Sequence, residues 1–161
     1  MRRLMIAAAL SLLMFAAGSF VPASAVPPPR FTLSPDPLTM SSAAGTIAFA
    51  DVTLTNNRGV LVVQGPSTVH NDQTNPDGIH VIFSDTQSGT CWQTYESLGN
   101  PIPQHSTCTI RIGFLPPAQD TYTGTLTVYR CPTWHVDPTF GFILCDTTDG
   151  SQTINLVGTG T

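Results

Sequence analysis

Between Cys108 and Val128 the sequence reads CTIRIGFLPPAQDTYTGTLTV, and few folds accept such a run. Cys108, Ile110, Ile112 and Phe114 share one parity, while Thr109, Arg111 and Gly113 share the other. After the PPAQD break, Tyr122, Leu126 and Val128 take the apolar phase and Thr123, Thr125, Thr127 and Tyr129 the polar one. A period of two is the period of a half-buried strand. Pro116 and Pro117 have no N–H for a ladder, so they end the first strand. The pattern predicts two antiparallel strands about a turn, burying a shared face and exposing a threonine-rich one. A one-residue slip of either would drive Thr and Arg into the core.

The same reading extends along the chain. A strand is expected at Phe31-Thr32-Leu33, interrupted by Ser34-Pro35-Asp36-Pro37, whose prolines confine the segment to an edge or a connection. In GTIAFADVTLTNN, Ala48, Ala50, Val52 and Leu54 face one way and Asp51, Thr53 and Thr55 the other. Ile47 and Phe49 interrupt this alternation and are read as a bulge or an edge. Asn56 to Gly59 supplies a turn, and Val60 to Val63 is expected to be a short apolar strand. Residues 65–78 read as a loop, and residues 79–83 as a strand with Ile79, Val81 and Phe83 on one side. Loops around a short strand near Cys91 and Trp92 should fill residues 84–104. Residues 130–149 read as an inserted excursion, and a last strand is expected at Thr153 to Gly158, with Ile154 and Leu156 inward. Thr161 is expected to end the chain without a linker, anchor or sorting tail. No window carries an amphipathic helical stripe free of proline, glycine and β-branched residues. The expectation is an all-β fold of about 7 to 9 short strands in two packed antiparallel sheets.

The N-terminus has a different texture. Arg2 and Arg3 precede an uncharged apolar run from Leu4 to about Phe20, and Ala23-Ser24-Ala25 has the small-x-small form of a cleavage site. Residues 1–25 are read as a secretory signal peptide, residues 26–30 as a proline-rich leader and residues 31–161 as one sandwich domain. An uncleaved anchor is the competing reading, because the apolar run is at the lower limit for spanning a bilayer. The lone methionine ahead of the arginine pair favours general secretion over twin-arginine export, and no cysteine near the cleavage site offers a place for a lipid. Removing 25 of the 161 residues leaves 136, enough for one domain. That portion carries four arginines against ten carboxylates, a formal charge of −6, and the sequence contains no lysine. Nucleic acid and anionic membranes are bound by clustered Lys and Arg, so neither partner is expected, and no stable membrane insertion should follow cleavage.

Cys91, Cys108, Cys131 and Cys145 are an even set in a chain read as exported, which implies two disulfides. Local pairing of Cys91 with Cys108 and Cys131 with Cys145 is preferred, each loop contributing about 3 kcal/mol in the chain-entropy account. The crossed pairings stay open, since spacing does not fix connectivity.

Cys108-Thr109-Ile110, Ile112 to Pro116, Thr121 to Val128 and Ile154 to Thr161, with Val52-Thr53-Leu54-Thr55-Asn56 before a turn, together resemble the immunoglobulin-like choice-of-anchor D domains of exported bacterial proteins. These are similar to the ASPM/SPD-2/hydin group of sandwich domains. The resemblance spans roughly residues 45–161. It implies an immunoglobulin-like antiparallel β-sandwich, export and a modular or structural role, and it brings no catalytic residues. Cys91 and Cys108 fall where cysteine is common in such domains, whereas the 131–145 excursion departs from the usual shorter hairpin.

Candidate sites divide by chemistry. His70, His80, His105 and His135 lack the i, i+2 or i, i+4 spacing that converges on one ion, and Cys131, His135 and Cys145 are better explained by a disulfide than by zinc. Asn71, Asp72, Asn75, Asp77 and Gly78 are oxygen-rich but miss the spacing of a calcium loop, which favours turn roles. Ser106 beside His105 is no nucleophile elbow, and Glu96 is the sole glutamate, so no enzyme, metal or cofactor is expected. Trp92, Tyr95, Trp134, Phe140 and Phe142 sit in loop-like segments near the cysteines. They either fill the ends of the sandwich or form a partner-binding surface, since scaffolded loops carry such aromatics. The expected function is a non-catalytic module for structure or protein interaction, secreted or in the periplasm or cell wall. A carbohydrate- or ligand-binding sandwich using the aromatic loops is the alternative, and a hydrolase ranks behind both.

Overall fold

The computed structural model describes residues 29–64, 67–74, 82–92, 101–139 and 143–161. The expected signal segment, Val26 to Pro28 of the leader and Ile79 to Val81 of the expected strand lie outside the described residues. Among the described residues ten strands follow in chain order: β1 (Phe31–Ser34), β2 (Leu38–Ser42), β3 (Ala48–Asn56), β4 (Thr68–Asn71), β5 (Phe83–Asp85), β6 (Thr107–Phe114), β7 (Thr121–Tyr129), β8 (Thr133–Val136), β9 (Ile143–Thr147) and β10 (Ser151–Gly160). One sheet has the order β1-β3-β6-β5 and the other β2-β10-β7-β4, with β8 and β9 as a separate ribbon. The described residues include no helix. The fold is an all-β, immunoglobulin-like sandwich.

Alternation places the core as the sequence implied. Val52 and Leu54 from β3, and Ile110, Ile112 and Phe114 from β6, meet Tyr122, Leu126 and Val128 from β7 and Ile154 and Leu156 from β10, all buried. Burying such side chains contributes about 1.5–3 kcal/mol each. The antiparallel β3 and β6 run from Ala48↔Phe114 to Thr55↔Thr107 without a shift. Ile47 and Phe49 therefore mark no bulge. Phe49 is on the outward phase, 56% exposed. Beyond it on the same face, Arg111 Nε donates to Asp51 Oδ1 at 2.8 Å and Nη2 to Oδ2 at 3.1 Å. The hydrogen bonds from Arg111 hold the Asp51 carboxyl below its ordinary range.

The face that β6 and β7 were expected to share lies across the core. β6 and β7 are not partners in a hairpin: β6 pairs with β3 and β5, β7 with β10 and β4. The Leu115–Asp120 turn carries the chain from one sheet to the other, so the two apolar faces are shared across the core. Tyr122 closes that turn. Its hydroxyl donates to Ala118 O and accepts from Ala118 N, both at 3.2 Å. The Ser34-Pro35-Asp36-Pro37 stretch performs the same change of sheet, from edge strand β1 to edge strand β2, and β2 pairs in parallel with β10.

Other differences follow from burial. Leu61, Val62 and Val63 are all buried, and only isolated bridges, Leu61↔Ile102 and Val63↔Arg130, replace the expected strand. Residues 65–78, read as a loop, contain β4, which pairs with β7 through Thr68↔Thr127 to Asn71↔Gly124. Ile82 and Phe83 are adjacent yet both buried, since β5 begins only at Phe83. No strand forms at Cys91; its N–H donates to Thr109 O at 3.1 Å. Asn56, fully buried, donates through Nδ2 to Gly59 O, Ile102 O and Pro103 O at 2.6, 2.8 and 3.0 Å, and its Oδ1 accepts from Arg58 N at 3.0 Å. That side chain ties the turn after β3 to the segment before β6.

The cysteines pair locally, Cys91 with Cys108 and Cys131 with Cys145. Cys91 and Cys108 belong to the main core, whereas Cys131 joins a small cluster with Val62 and Ile143. Phe114 stacks on Phe83 with ring centroids 5.0 Å apart, and Gly158 of β10 lies flat against the Phe114 ring. A Cβ at position 158 would enter that ring.

Gly158→Ala should accordingly cost about 1–3 kcal/mol by overpacking, seen as a lower urea midpoint with an unchanged slope. The two loops are similar in length, at separations of 17 and 14 residues, so their chain-entropy contributions should be alike. Replacing Cys91 and Cys108 by alanine should still destabilise more than replacing Cys131 and Cys145, because only the first pair leaves a void in the main core. Urea midpoints of the two double variants check the order.

Candidate functional site

The ribbon begins where β7 gives out. Arg130 N–H donates to Gly150 O and Asp149 N–H to Arg130 O, both at 3.0 Å, so the two ends of the excursion lie side by side. The Arg130 guanidinium grips both carboxylate oxygens of Asp149, through Nε to Oδ1 and Nη2 to Oδ2. Bidentate pairing of this kind fixes direction as well as distance. Cys131 N–H donates to Val62 O at 2.8 Å, and the Cys131–Cys145 bond closes the neck. Gly150, at φ +64°, supplies the left-handed residue that the return into β10 requires.

Beyond the neck, β8 and β9 pair from Thr133↔Thr147 to Val136↔Ile143, with a register shift between Thr133 and Trp134. Thr133 and Thr147 share a hydroxyl hydrogen bond at 2.5 Å, and His135 Nδ1 meets Asp146 Oδ1 at 2.6 Å. All four β8 residues are exposed. Trp134 and Val136, two residues apart and thus on one face, are 41% and 52% exposed.

A cavity of about 220 Å³ lies beside this face, lined by Arg30, Val60, Val62, Arg130, Cys131, Pro132 and Trp134. A second, of about 250 Å³, shares Arg30 and Arg130 with it and is lined further by Pro29, Phe31 and residues 149–152. Val60 is 65% exposed. Arg130 is committed to Asp149, and the Arg30 side chain makes no ion pair or hydrogen bond with the described residues. The groove thus offers an indole, exposed aliphatic carbon and a cation on a chain that is otherwise acidic.

The five aromatic candidates separate. Trp92 is 4% exposed and packs in the main core beside the Cys91–Cys108 bond, so it fills the sandwich and presents no surface. Trp134 alone among the described candidates faces outward as a surface requires. Tyr95, Phe140 and Phe142 lie outside the described residues. Arg30, Arg130 and Val60 escaped the sequence reading. The signal for Arg130 was its place next to Cys131 with Asp149 near Cys145, a charge pair bracketing the staple.

The polar candidates have local tasks. His70 Nε2 is 3.8 Å from Asp72 Oδ1, His105 Nε2 meets Gln104 Nε2 at 3.0 Å, and His135 meets Asp146. No group of three or more His, Cys, Asp or Glu converges on a point among the described residues. Asn71 ties the sheets together, accepting from Phe83 N at 2.7 Å and donating to Phe83 O at 3.1 Å. Ser106 Oγ donates to Pro103 O at 2.6 Å. His80, Asn75, Asp77, Gly78 and Glu96 lie outside the described residues. No helix among the described residues is long and apolar enough to cross a membrane.

No family model and no curated protein matches the sequence. Among solved structures, the chain is similar to the ASH / PapD-like domain of human CEP192 (PapD-like domain 7), at 12% identity and a TM-score of 0.52, covering 93% of this chain and 98% of that one. It is also similar to WR4, a C. elegans MSP family member, at 11% identity and a TM-score of 0.43, covering 82% and 98%. At 12% identity the first of these likenesses concerns the fold alone.

Proposed function

We propose that this chain is an exported, non-catalytic sandwich module that works by surface contact with a protein partner in the cell envelope or outside the cell. The observation that carries the reading is Trp134, held outward on a covalently closed ribbon beside Val60 and the Arg30 side chain. Tryptophan is usually well buried, and Trp and Arg dominate the energetics of protein interfaces. A staple at the ribbon's neck also lowers the entropy lost when such a surface is engaged. Two disulfides suit an oxidising compartment. The apolar N-terminus ending in Ala23-Ser24-Ala25 suits export, and the resemblance to choice-of-anchor D domains suits a modular role. An acidic peptide segment is the favoured contact for Arg30.

A glycan partner is the second reading, favoured by the same indole, because an aromatic face beside a cation also suits an acidic sugar. Capture from the native extracytoplasmic fraction, followed by titration of the captured partner, tests both. Trp134→Ala should weaken binding at least about tenfold, the loss of a hot-spot residue, while leaving the urea midpoint close to wild type. Binding by Trp134→Ala and Arg30→Ala equal to wild type would refute the groove as the contact. Binding to a glycan array that disappears in Trp134→Ala would select the sugar reading over the protein one.

A further inference from the structure

At the edge of the second sheet the chain leaves β4 and returns at once to one residue of β7. Asp72 N–H donates to Thr123 O at 3.0 Å. Thr123 N–H donates to Gln73 Oε1 at 2.8 Å, and Gln73 Nε2 donates to Thr123 Oγ1 at 3.2 Å. The Thr123 hydroxyl in turn donates to Asp72 Oδ2 at 2.7 Å. On its other oxygen Asp72 has His70 Nε2 at 3.8 Å.

Each contact is ordinary as a hydrogen bond, but the set has a direction. A hydroxyl is aimed at a carboxylate that can take its proton, and it touches a carboxamide whose carbonyl oxygen is held by a backbone N–H. Nucleophile, base, electrophile and oxyanion donor are the parts of an acyl transfer. All sit on adjacent residues of paired elements, which supplies the effective concentration that an intramolecular reaction needs.

We propose that Thr123 and Gln73 are joined by an intramolecular ester that fastens the β4 edge to β7. A turn of the Gln73 carboxamide about its Cγ–Cδ bond presents the carbonyl carbon to Thr123 Oγ1. The Oγ1–Cδ bond forms as Asp72 takes the hydroxyl proton, and Thr123 N–H holds the oxygen of the tetrahedral adduct. The Cδ–Nε2 bond then breaks, Asp72 returns the proton to nitrogen, and ammonia leaves. Atoms balance without an oxidant or a co-reactant, and loss of ammonia to solvent pulls the reaction forward. Asp72 is the catalytic base, and His70 is a positioning residue for it. A chain without lysine has no side-chain amine with which to make an amide cross-link, so a hydroxyl ester is the covalent tie open to it here.

Mass spectrometry of the purified, oxidised chain decides the matter. The intact mass should fall short of the sequence mass, corrected for two disulfides, by one ammonia. Trypsin cuts after Arg58, Arg111 and Arg130, which puts Gln73 and Thr123 on different peptides, residues 59–111 and 112–130. After reduction these should run as one cross-linked species that hydroxylamine separates. The link should vanish in Thr123→Val, persist in Thr123→Ser and form more slowly in Asp72→Asn, whose intact mass after prolonged incubation gives the rate. A full sequence mass with two separate peptides, in fresh and in aged protein alike, would overturn the proposal. So would an ammonia loss confined to an asparagine within one peptide.

Discussion

The structure depends on β6 and β7 presenting their apolar faces to each other from opposite sheets. Ile110, Ile112 and Phe114 on one side and Tyr122, Leu126 and Val128 on the other are joined by a short connection, so the first contact across the core has little loop entropy to overcome. The Pro116-Pro117 pair prevents the first strand from running on, and the Tyr122 hydroxyl fixes Ala118 at the bend. On that pair, β3 is hydrogen-bonded to β6 and β10 to β7 along long unshifted registers. Gly158 then lets β10 approach the Phe114 ring, which no larger residue would allow. The central strands therefore carry most of the packing, and the edge strands add Phe31, Leu38, Met40 and Phe83 to the same core, with polar ties such as Asn56, Asn71 and Thr123 beside their ladders.

That division separates stability from surface. Cys91–Cys108 is embedded in the main core, and Trp92 beside it is filler. Cys131–Cys145 closes a ribbon whose own cluster, among the described residues, is Val62, Cys131 and Ile143 with part of Cys145. The ribbon can vary in its exposed residues without disturbing the layers beneath it, because the neck is secured by the disulfide, the Arg130–Asp149 pair and backbone hydrogen bonds to Gly150 and Val62. A recognition surface built there changes at small cost to the fold.

The strands with clean alternation were legible in the sequence: β3, β6, β7 and β10 occupy the stretches where apolar and threonine positions trade places. What alternation does not encode is whether two such strands are neighbours in one sheet or face each other across the core, since both bury the same side chains. The β6–β7 pair is such a case: alternation marks its shared face and leaves the ladder partners open. β4 escaped notice because Thr68 and His70 are exposed and Val69 is its one apolar side chain. Leu61 to Val63 deceived in the opposite way: the segment is buried on both sides, beneath the ribbon neck and against Ile102, so it is apolar without being a strand. Trp92 and Trp134 look alike in sequence, each close to a cysteine. Only the depth of the neighbouring disulfide distinguishes core from surface, and depth is a property of tertiary packing.

The parallel pairing of β2 with β10 adds a mechanical consequence. Leu38 is opposite Leu156 and Ser42 is opposite Gly160, so the N-terminal end of β2 and the C-terminal end of β10 are at opposite ends of the ladder. Tension passed between the chain segments flanking them loads those hydrogen bonds together, in shear, whereas an antiparallel pair at the same place would open one bond at a time. On the far edge of the same sheet β4 has only four residues, and its antiparallel pairing with β7 is the kind that peels. The ester proposed between Gln73 and Thr123 would lie just past the end of β4, where peeling from that side would begin. Under such tension the sheet would be protected at both edges, by geometry at one and by a bond at the other.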